Sequence, residues 1–284
     1  MTARRALLAA AVERLRAGGV ESAEHDAAAL LAHVLGTDRS RLVLVDEVGP
    51  DVERRYADLV GRRAAREPLQ HLTGVAHFRH VELAVGPGVF VPRPETELLA
   101  GWAVEQAAAL TADGASPVVV DLCTGSGAIA LSIADEVPAA RVHAVEIDPP
   151  AHAWAERNLA GTGVDLRLGD LATAFDDLLG GVDVVTCNPP YIPLEAWESV
   201  APEARDHDPH LALFSGADGL DAIRVLEQRA AVLLRPGGVL GVEHADAQGD
   251  AVPAVFRATG RWVEVRDHAD LAGRPRFTTA RLAR

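Results

Sequence analysis

Apolar positions in the first 75 residues recur at helical spacing over 6–15, 23–35 and 52–66, which predicts three helices. Ser22 stands where the second would begin. Gly36 stands where it would stop, because glycine readily takes the left-handed conformation past a helix end. From residue 81 the pattern changes to short apolar runs. Residues 81–85 and 88–91 flank Gly86-Pro87, which predicts a linking β-hairpin. Beyond it, buried-strand runs at 118–122, 141–146, 164–171, 182–187 and 237–243 are followed by further strands expected at 262–266 and 276–282, with a helix at 128–134. Strands alternating with helices mean βαβ units. The expected architecture is α/β: a Rossmann-like, seven-stranded, mostly parallel sheet over 93–284, a hairpin linker over 76–92, and a small helical domain over 1–75.

The ends of these strands carry the chemistry, since open α/β sheets bind ligands outside the carboxyl ends of their strands. Cys123-Thr124-Gly125-Ser126-Gly127 follows the first, a tight turn opening a helix as in units that bind nucleotide-like cofactors. Glu146 closes the second strand about 20 residues further on, the spacing at which a carboxylate meets ribose hydroxyls. Asp170 and Leu171 end the third, and Asn188-Pro189-Pro190-Tyr191 follows the fourth. Asn188 offers a carboxamide oxygen, and two prolines have lost their N–H donors, so the tetrapeptide is a cluster of acceptors. Such a cluster holds both hydrogens of a planar NH2 group and leaves the nitrogen's electron density aimed at an electrophile. Tyr191 adds a flat face for packing. Adenine, cytosine and the glutamine side chain all present such a group. Together the four strand ends resemble those of an S-adenosylmethionine-dependent class I methyltransferase.

Composition narrows the partners. With 284 residues, 49% of them hydrophobic, the chain can build one large or two smaller cores. No apolar run reaches the roughly 18 residues of a membrane span and no secretory signal precedes the first helix, so a cytoplasmic protein is expected, with no membrane partner. Cys123 and Cys187 have no metal-type spacing, the eleven histidines form no HExxH pattern, and Asp206-His207-Asp208-Pro209-His210 reads as a polar loop. No metal is expected. In the doubly wound order the first and fourth strands are neighbours, which would bring the two cysteines together beside the cofactor. The net charge is −14, with 12 Arg against 11 acids in residues 1–80, 15 Arg against 30 acids in 81–284, and no Lys. Duplex DNA calls for a cationic track, so direct nucleic-acid binding is disfavoured. Arg55, Arg62 and Arg66 fall on one face of the third predicted helix, a face that could meet an acidic protein partner or simply be solvated.

A closer resemblance rests on Pro68-Leu69-Gln70-His71-Leu72-Thr73-Gly74, Val91-Pro92-Arg93-Pro94-Glu95-Thr96-Glu97, the glycine turn, Asn-Pro-Pro-Tyr-Ile-Pro, residues 209–216 with Asp218-Gly219-Leu220, and Leu234-Arg235-Pro236-Gly237-Gly238 followed by Glu243-His244. Over nearly its whole length the chain resembles the HemK/PrmC family. That resemblance implies methyl transfer from S-adenosylmethionine, leaving S-adenosylhomocysteine, to the side-chain nitrogen (N5) of the glutamine in the Gly-Gly-Gln motif of bacterial class I peptide-chain release factors. It further implies that the 1–75 domain recognises the substrate. Cys123 to Gly127 would approach the methionine part of the cofactor, Glu146 the ribose, and Asp170 with Leu171 the adenine. Asn188, Pro189, Pro190 and Tyr191 would form the catalytic and glutamine-binding turn, with Asn188 also bordering the cofactor. Phe90, Arg93, Glu95 and Thr96 would shape the pockets. Cys123 departs from the family's usual glycine. The alternatives are a ribosomal-protein glutamine, adenine N6 in nucleic acid, and a module that binds the cofactor without catalysis.

Overall fold

Helices form at Arg4–Ala17, Ala23–Leu35 and Pro50–Ala64, followed by a short one at Leu69–Thr73, in a computed structural model that describes residues 1–112 and 114–284. Their apolar faces meet in a core that includes Leu15, Leu30, Leu31, Tyr56 and Val60. The Tyr56 hydroxyl, buried there, donates to the Ala27 carbonyl at 2.9 Å, which removes the penalty of an unpaired phenol. Gly36 caps the second helix at φ 63°, as its position predicts. Strands β1 (Thr2–Ala3) and β2 (Glu47–Val48) pair antiparallel beside these helices.

Residues 1–75 and 201–207 make up one compact unit, and 76–200 with 208–284 the other. Within the first, Arg63 donates from Nε to Asp26 at 2.7 Å and from both terminal nitrogens to Glu203 at 3.1 Å, while Arg66 donates to the second oxygen of Glu203 at 2.6 Å. These ion pairs correct the expected arginine face. The third helix ends at Ala64, Arg66 lies beyond it at φ 71°, and Arg62 is held by Glu67 at 2.6 and 2.8 Å. Two of the three guanidiniums are therefore committed inside the unit.

The hairpin forms one strand earlier than the sequence pattern predicts, between β3 (Val75–Phe78) and β4 (Val81–Ala84). Its turn is held by Arg79, at φ 51°, which donates to both oxygens of Glu136 at 2.7 Å. Residues 88–91 form no strand. Val89 and Val91 are instead fully buried pegs, and Gly86-Pro87 seats the Trp154 indole, which would lie 2.6 Å from a Cβ on Gly86. Apolar alternation reports burial, and here burial comes without strand pairing.

The seven-stranded sheet contains β5 (Val118–Leu122), β6 (Arg141–Glu146), β7 (Asp165–Leu168), β8 (Val182–Cys187), β9 (Leu234–Glu243), β10 (Trp262–Ala269) and β11 (Pro275–Leu282), in the order β10-β11-β9-β8-β5-β6-β7. Strands β5 to β9 run parallel, and β11 is antiparallel to both of its neighbours. The strands carry apolar residues on both faces because helices cover both. Thr96–Thr111, Ala128–Glu136 and Pro149–Leu159 pack residues such as Leu99, Ile133 and Ala155 onto one side. Asp221–Leu233 and Ala251–Ala258 pack Ile223, Leu226 and Phe256 onto the other. The order reverses between β5 and β8, and that switch point is where a ligand crevice opens. Among the described residues, no helix is long and apolar enough to cross a membrane.

Candidate active site

Asp121, fully buried near the end of β5, accepts from the Thr124 hydroxyl at 2.6 Å and from the Thr186 hydroxyl at 2.9 Å. Burial pushes its carboxyl up to about 7 in spite of these bonds. The residue braces the glycine turn against β8, two residues before Asn188. An acid inside an otherwise apolar strand run is the signal by which sequence could have found it.

After β5 the chain turns sharply. Cys123 takes φ 63°, Gly125 57° and Gly127 87°, and Gly127 lies close enough to Leu159 that a Cβ would sit 3.1 Å from its Cγ. A cysteine in the left-handed region carries strain of about 1–2 kcal/mol, part of which a glycine would return through its freer unfolded chain. Cys123→Gly is therefore expected to stabilise the protein by roughly 0.5–1 kcal/mol, read as a higher urea midpoint. A lower midpoint would mean that thiol packing outweighs the strain. Packing is present: Cys187 is in register with Leu122, both cysteines are free thiols, and Cys123 packs against the core cluster that contains Cys187. Burial first, and the Cys123 thiol second, push the Cys187 thiol well above its ordinary value.

Glu146 ends β6 and is buried, which raises its carboxyl above the usual range. One oxygen accepts the Gly125 N–H at 2.8 Å and the other the Asp148 N–H at 2.9 Å. A carboxylate can accept about four hydrogen bonds, so Glu146 keeps capacity for a ligand hydroxyl. Beyond β8, the Asn188 Nδ2 donates to the Thr96 hydroxyl oxygen at 3.3 Å. That bond uses one of the two N–H groups and points Nδ2 at Thr96, which turns the acceptor Oδ1 the other way. Thr96 is buried at the start of its helix, and Glu243, the last residue of β9, accepts from the Tyr191 hydroxyl at 3.3 Å.

One cavity brings together Phe90, Thr96, Cys123, Thr124, Gly125, Ser126, Glu146, Leu171, Asn188, Pro190 and Tyr191. Its wall also contains Ile129, Ile147, Asp148 and the segment Leu211, Ala212 and Leu213, none of which the strand-end pattern singles out. Five expected residues are not in this wall. Gly127 packs on Leu159, Pro189 is buried and Glu95 half-buried outside the lining, and Asp170 accepts the Ala172 N–H at 2.9 Å in a turn, because β7 stops at Leu168. Arg93 donates to Asp208 at 2.6 Å and lies 4.9 Å over the Phe90 ring, so it supports a wall residue without being one. Burial pushes the Asp208 carboxyl up to about 6. Among the described residues, no group of three or more His, Cys, Asp or Glu could hold a metal ion.

The strand order, the glycine turn, the acid on the neighbouring strand and the acceptor turn across the switch point define a class I methyltransferase. The family model described as PrmC N-terminal domain matches residues 6–74, and that of a methyltransferase domain matches 119–207. The chain is 58% identical to the release factor glutamine methyltransferase of Streptomyces coelicolor, over 97% of each chain, and 48% identical to that of Mycolicibacterium smegmatis, over 100% of each. It belongs to the release factor glutamine methyltransferase family. Among solved structures, the hMettl16 catalytic domain bound to an RNA hairpin of the MAT2A 3'UTR shares the fold, with a TM-score of 0.55 at 14% identity over 71% of this chain and 75% of that one.

Proposed function

We propose that this protein methylates N5 of the glutamine in the Gly-Gly-Gln motif of bacterial class I release factors, using S-adenosylmethionine and releasing S-adenosylhomocysteine. The observation that carries the reading is the Asn188 carboxamide, whose nitrogen is held by Thr96 so that its oxygen is available to a substrate NH2. The cavity suits the cofactor: Gly125 leaves nothing within 4 Å of a would-be Cβ, the Glu146 oxygens have lone pairs to spare, and Ile147 and Leu171 offer apolar walls to a planar base. When bound, the cofactor supplies an electrophilic methyl on its sulfonium. An amide nitrogen is a weak nucleophile, so the work of the chain is alignment. Asn188 Oδ1 takes the substrate N–H, Tyr191 and Pro190 pack the flat amide, and Phe90, set by Arg93 and Asp208, closes the side. Positioning of this kind can contribute roughly 7–11 kcal/mol to lowering a barrier. No general base is assigned.

Residues 1–75 recognise the release factor beyond its glutamine, and the reaction takes place in the cytoplasm on a protein, not a nucleic acid. The acidic charge of residues 81–284 supports that choice. The experiment is incubation with methyl-labelled cofactor and, separately, release factors, ribosomal proteins and DNA. Label is expected on the release factor alone and is lost when its Gly-Gly-Gln glutamine is replaced by alanine. Comparable labelling of DNA or a ribosomal protein would overturn the assignment.

A further inference from the structure

Asp218-Gly219-Leu220 and the chain just after β9 meet at one atom of the acceptor turn, the carbonyl oxygen of Tyr191. Gln248, which ends a short 3-10 turn over Asp246–Gln248, donates from Nε2 to that oxygen at 3.0 Å. Its Oε1 accepts the Ala245 N–H at 3.0 Å, which settles which end of the amide faces Tyr191. Gly219, at φ 76°, lies against the same oxygen: a Cβ there would stand 2.2 Å from it and 2.8 Å from Gln248 Nε2. Gln248 is buried, 7% exposed, and an apolar side chain of its size would fill the place without the cost of desolvating an amide. What the amide adds is a donor aimed at one carbonyl.

The turn needs that donor because Pro189 and Pro190 have no N–H, so no backbone donor of their own can tie down its middle. Its start is fixed by β8, where Cys187 is in register with Leu122 of β5 and Val242 of β9. Its end depends on what Tyr191 and Ile192 can bond. Gln248 holds the Tyr191 carbonyl, the Ile192 N–H donates to the Leu213 carbonyl at 2.8 Å, and the Ile192 carbonyl accepts the Ser215 N–H at 3.0 Å. Asn188, Pro190 and Tyr191, all in the cavity wall, fall between these two anchorages. We infer that Gln248 is a positioning residue: it holds the Tyr191 carbonyl against Gly219 and so sets Pro190 and Tyr191 at the distance from Asn188 that a substrate amide requires. This rests on the reading of the turn as the glutamine-binding site.

The consequence falls on turnover and not on cofactor binding. Gly125 and Glu146 bond to each other and to Asp148, and none of these groups bonds to Gln248 or to the Tyr191 carbonyl. A turn released at its far end misplaces the substrate amide against the electrophile, and a misplacement of about 1 Å at a reacting centre can cost on the order of 10²-fold in rate.

The test uses the full chain with a release factor and labelled cofactor, and compares kcat, KM for the release factor, cofactor Kd by calorimetry, and Tm. Wild-type labelling tests the underlying reading. The ratio of variant to wild type tests the inference. Gln248→Met keeps the volume and removes the donor; it is expected to lower kcat on the order of 10–100-fold while leaving KM and cofactor Kd within about threefold. Gly219→Ala pushes the same carbonyl oxygen from its place, so it should lower kcat similarly and add little in combination with Gln248→Met, as expected of two changes acting on one group. A folded Gln248→Met protein with wild-type kcat would overturn the inference, since packing alone would then explain the residue. So would a loss of kcat matched by an equal loss of cofactor affinity, which would mean general loosening of the site. Should Gln248→Met fail to fold, either of these results in Gly219→Ala would overturn it instead.

Discussion

Asn188→Ala is expected to lower kcat by about 10²–10³-fold, the range for loss of one preorganised hydrogen-bonding group at a reacting centre. The side chain lies in the cavity wall directly after β8, and removing its carboxamide takes away the oxygen that Thr96 leaves available. Cofactor affinity should fall much less, because the turn at Cys123 to Gly127 and the Glu146 carboxylate are untouched. Single-turnover labelling of a release factor, with cofactor Kd measured in parallel, separates the two effects. Near-normal turnover would remove Asn188 from its assigned role. A parallel loss of cofactor affinity and turnover would instead make it a cofactor residue.

The second large effect concerns stability. Arg63→Ala should destabilise the first unit by about 3–5 kcal/mol, the penalty for leaving a buried charge without its partner. The Arg63 and Asp26 side chains are 8% and 3% exposed, and Glu203 would lose the same guanidinium. By comparison, Arg62 is 47% exposed and its pairing with Glu67 is worth at most about 1 kcal/mol. All four tryptophans, Trp102, Trp154, Trp197 and Trp262, fall in the second unit, so tryptophan fluorescence follows that unit and not the first. Hydrogen exchange over residues 23–35 therefore carries the measurement. Exchange in Arg63→Ala should quicken by two orders of magnitude or more, about 1.4 kcal/mol corresponding to each tenfold step. If Arg63→Ala and Arg62→Ala behave alike, the buried ion pairs do not hold this unit together.

Arg63 also shows where sequence reading stops. Its position on a helix is legible from apolar periodicity, but its partner Glu203 lies 140 residues away. The same is true of Arg93 and Asp208, 115 residues apart, and of Thr96 with Asn188, 92 apart. Nothing in the neighbourhood of an arginine or a threonine states whether its charge or hydroxyl will meet solvent or a distant acid. Arg66 makes the point by failure: counted onto a helix that ends two residues before it, it belongs by sequence to a face open to an acidic partner or to solvent, and it is instead bound to Glu203.

Sequence alone determined the bounds of β5, β6 and β8, the glycine turn, the acid at Glu146 and the acceptor turn at Asn188, because strand periodicity, turn chemistry and the residue after a strand end are all local properties. Topology then follows from few alternatives, since βαβ units cross over with one hand. Tertiary structure decided the rest. It moved the hairpin to β3 and β4, since buried apolar residues look alike whether or not they pair. It placed Asp170 and Arg93 outside the cavity wall. It set Asn188 against Thr96 and Tyr191 against Glu243, because hydrogen bonds between side chains depend on which strand ends and helix starts the folded sheet sets side by side, and that proximity is written nowhere in the order of the residues.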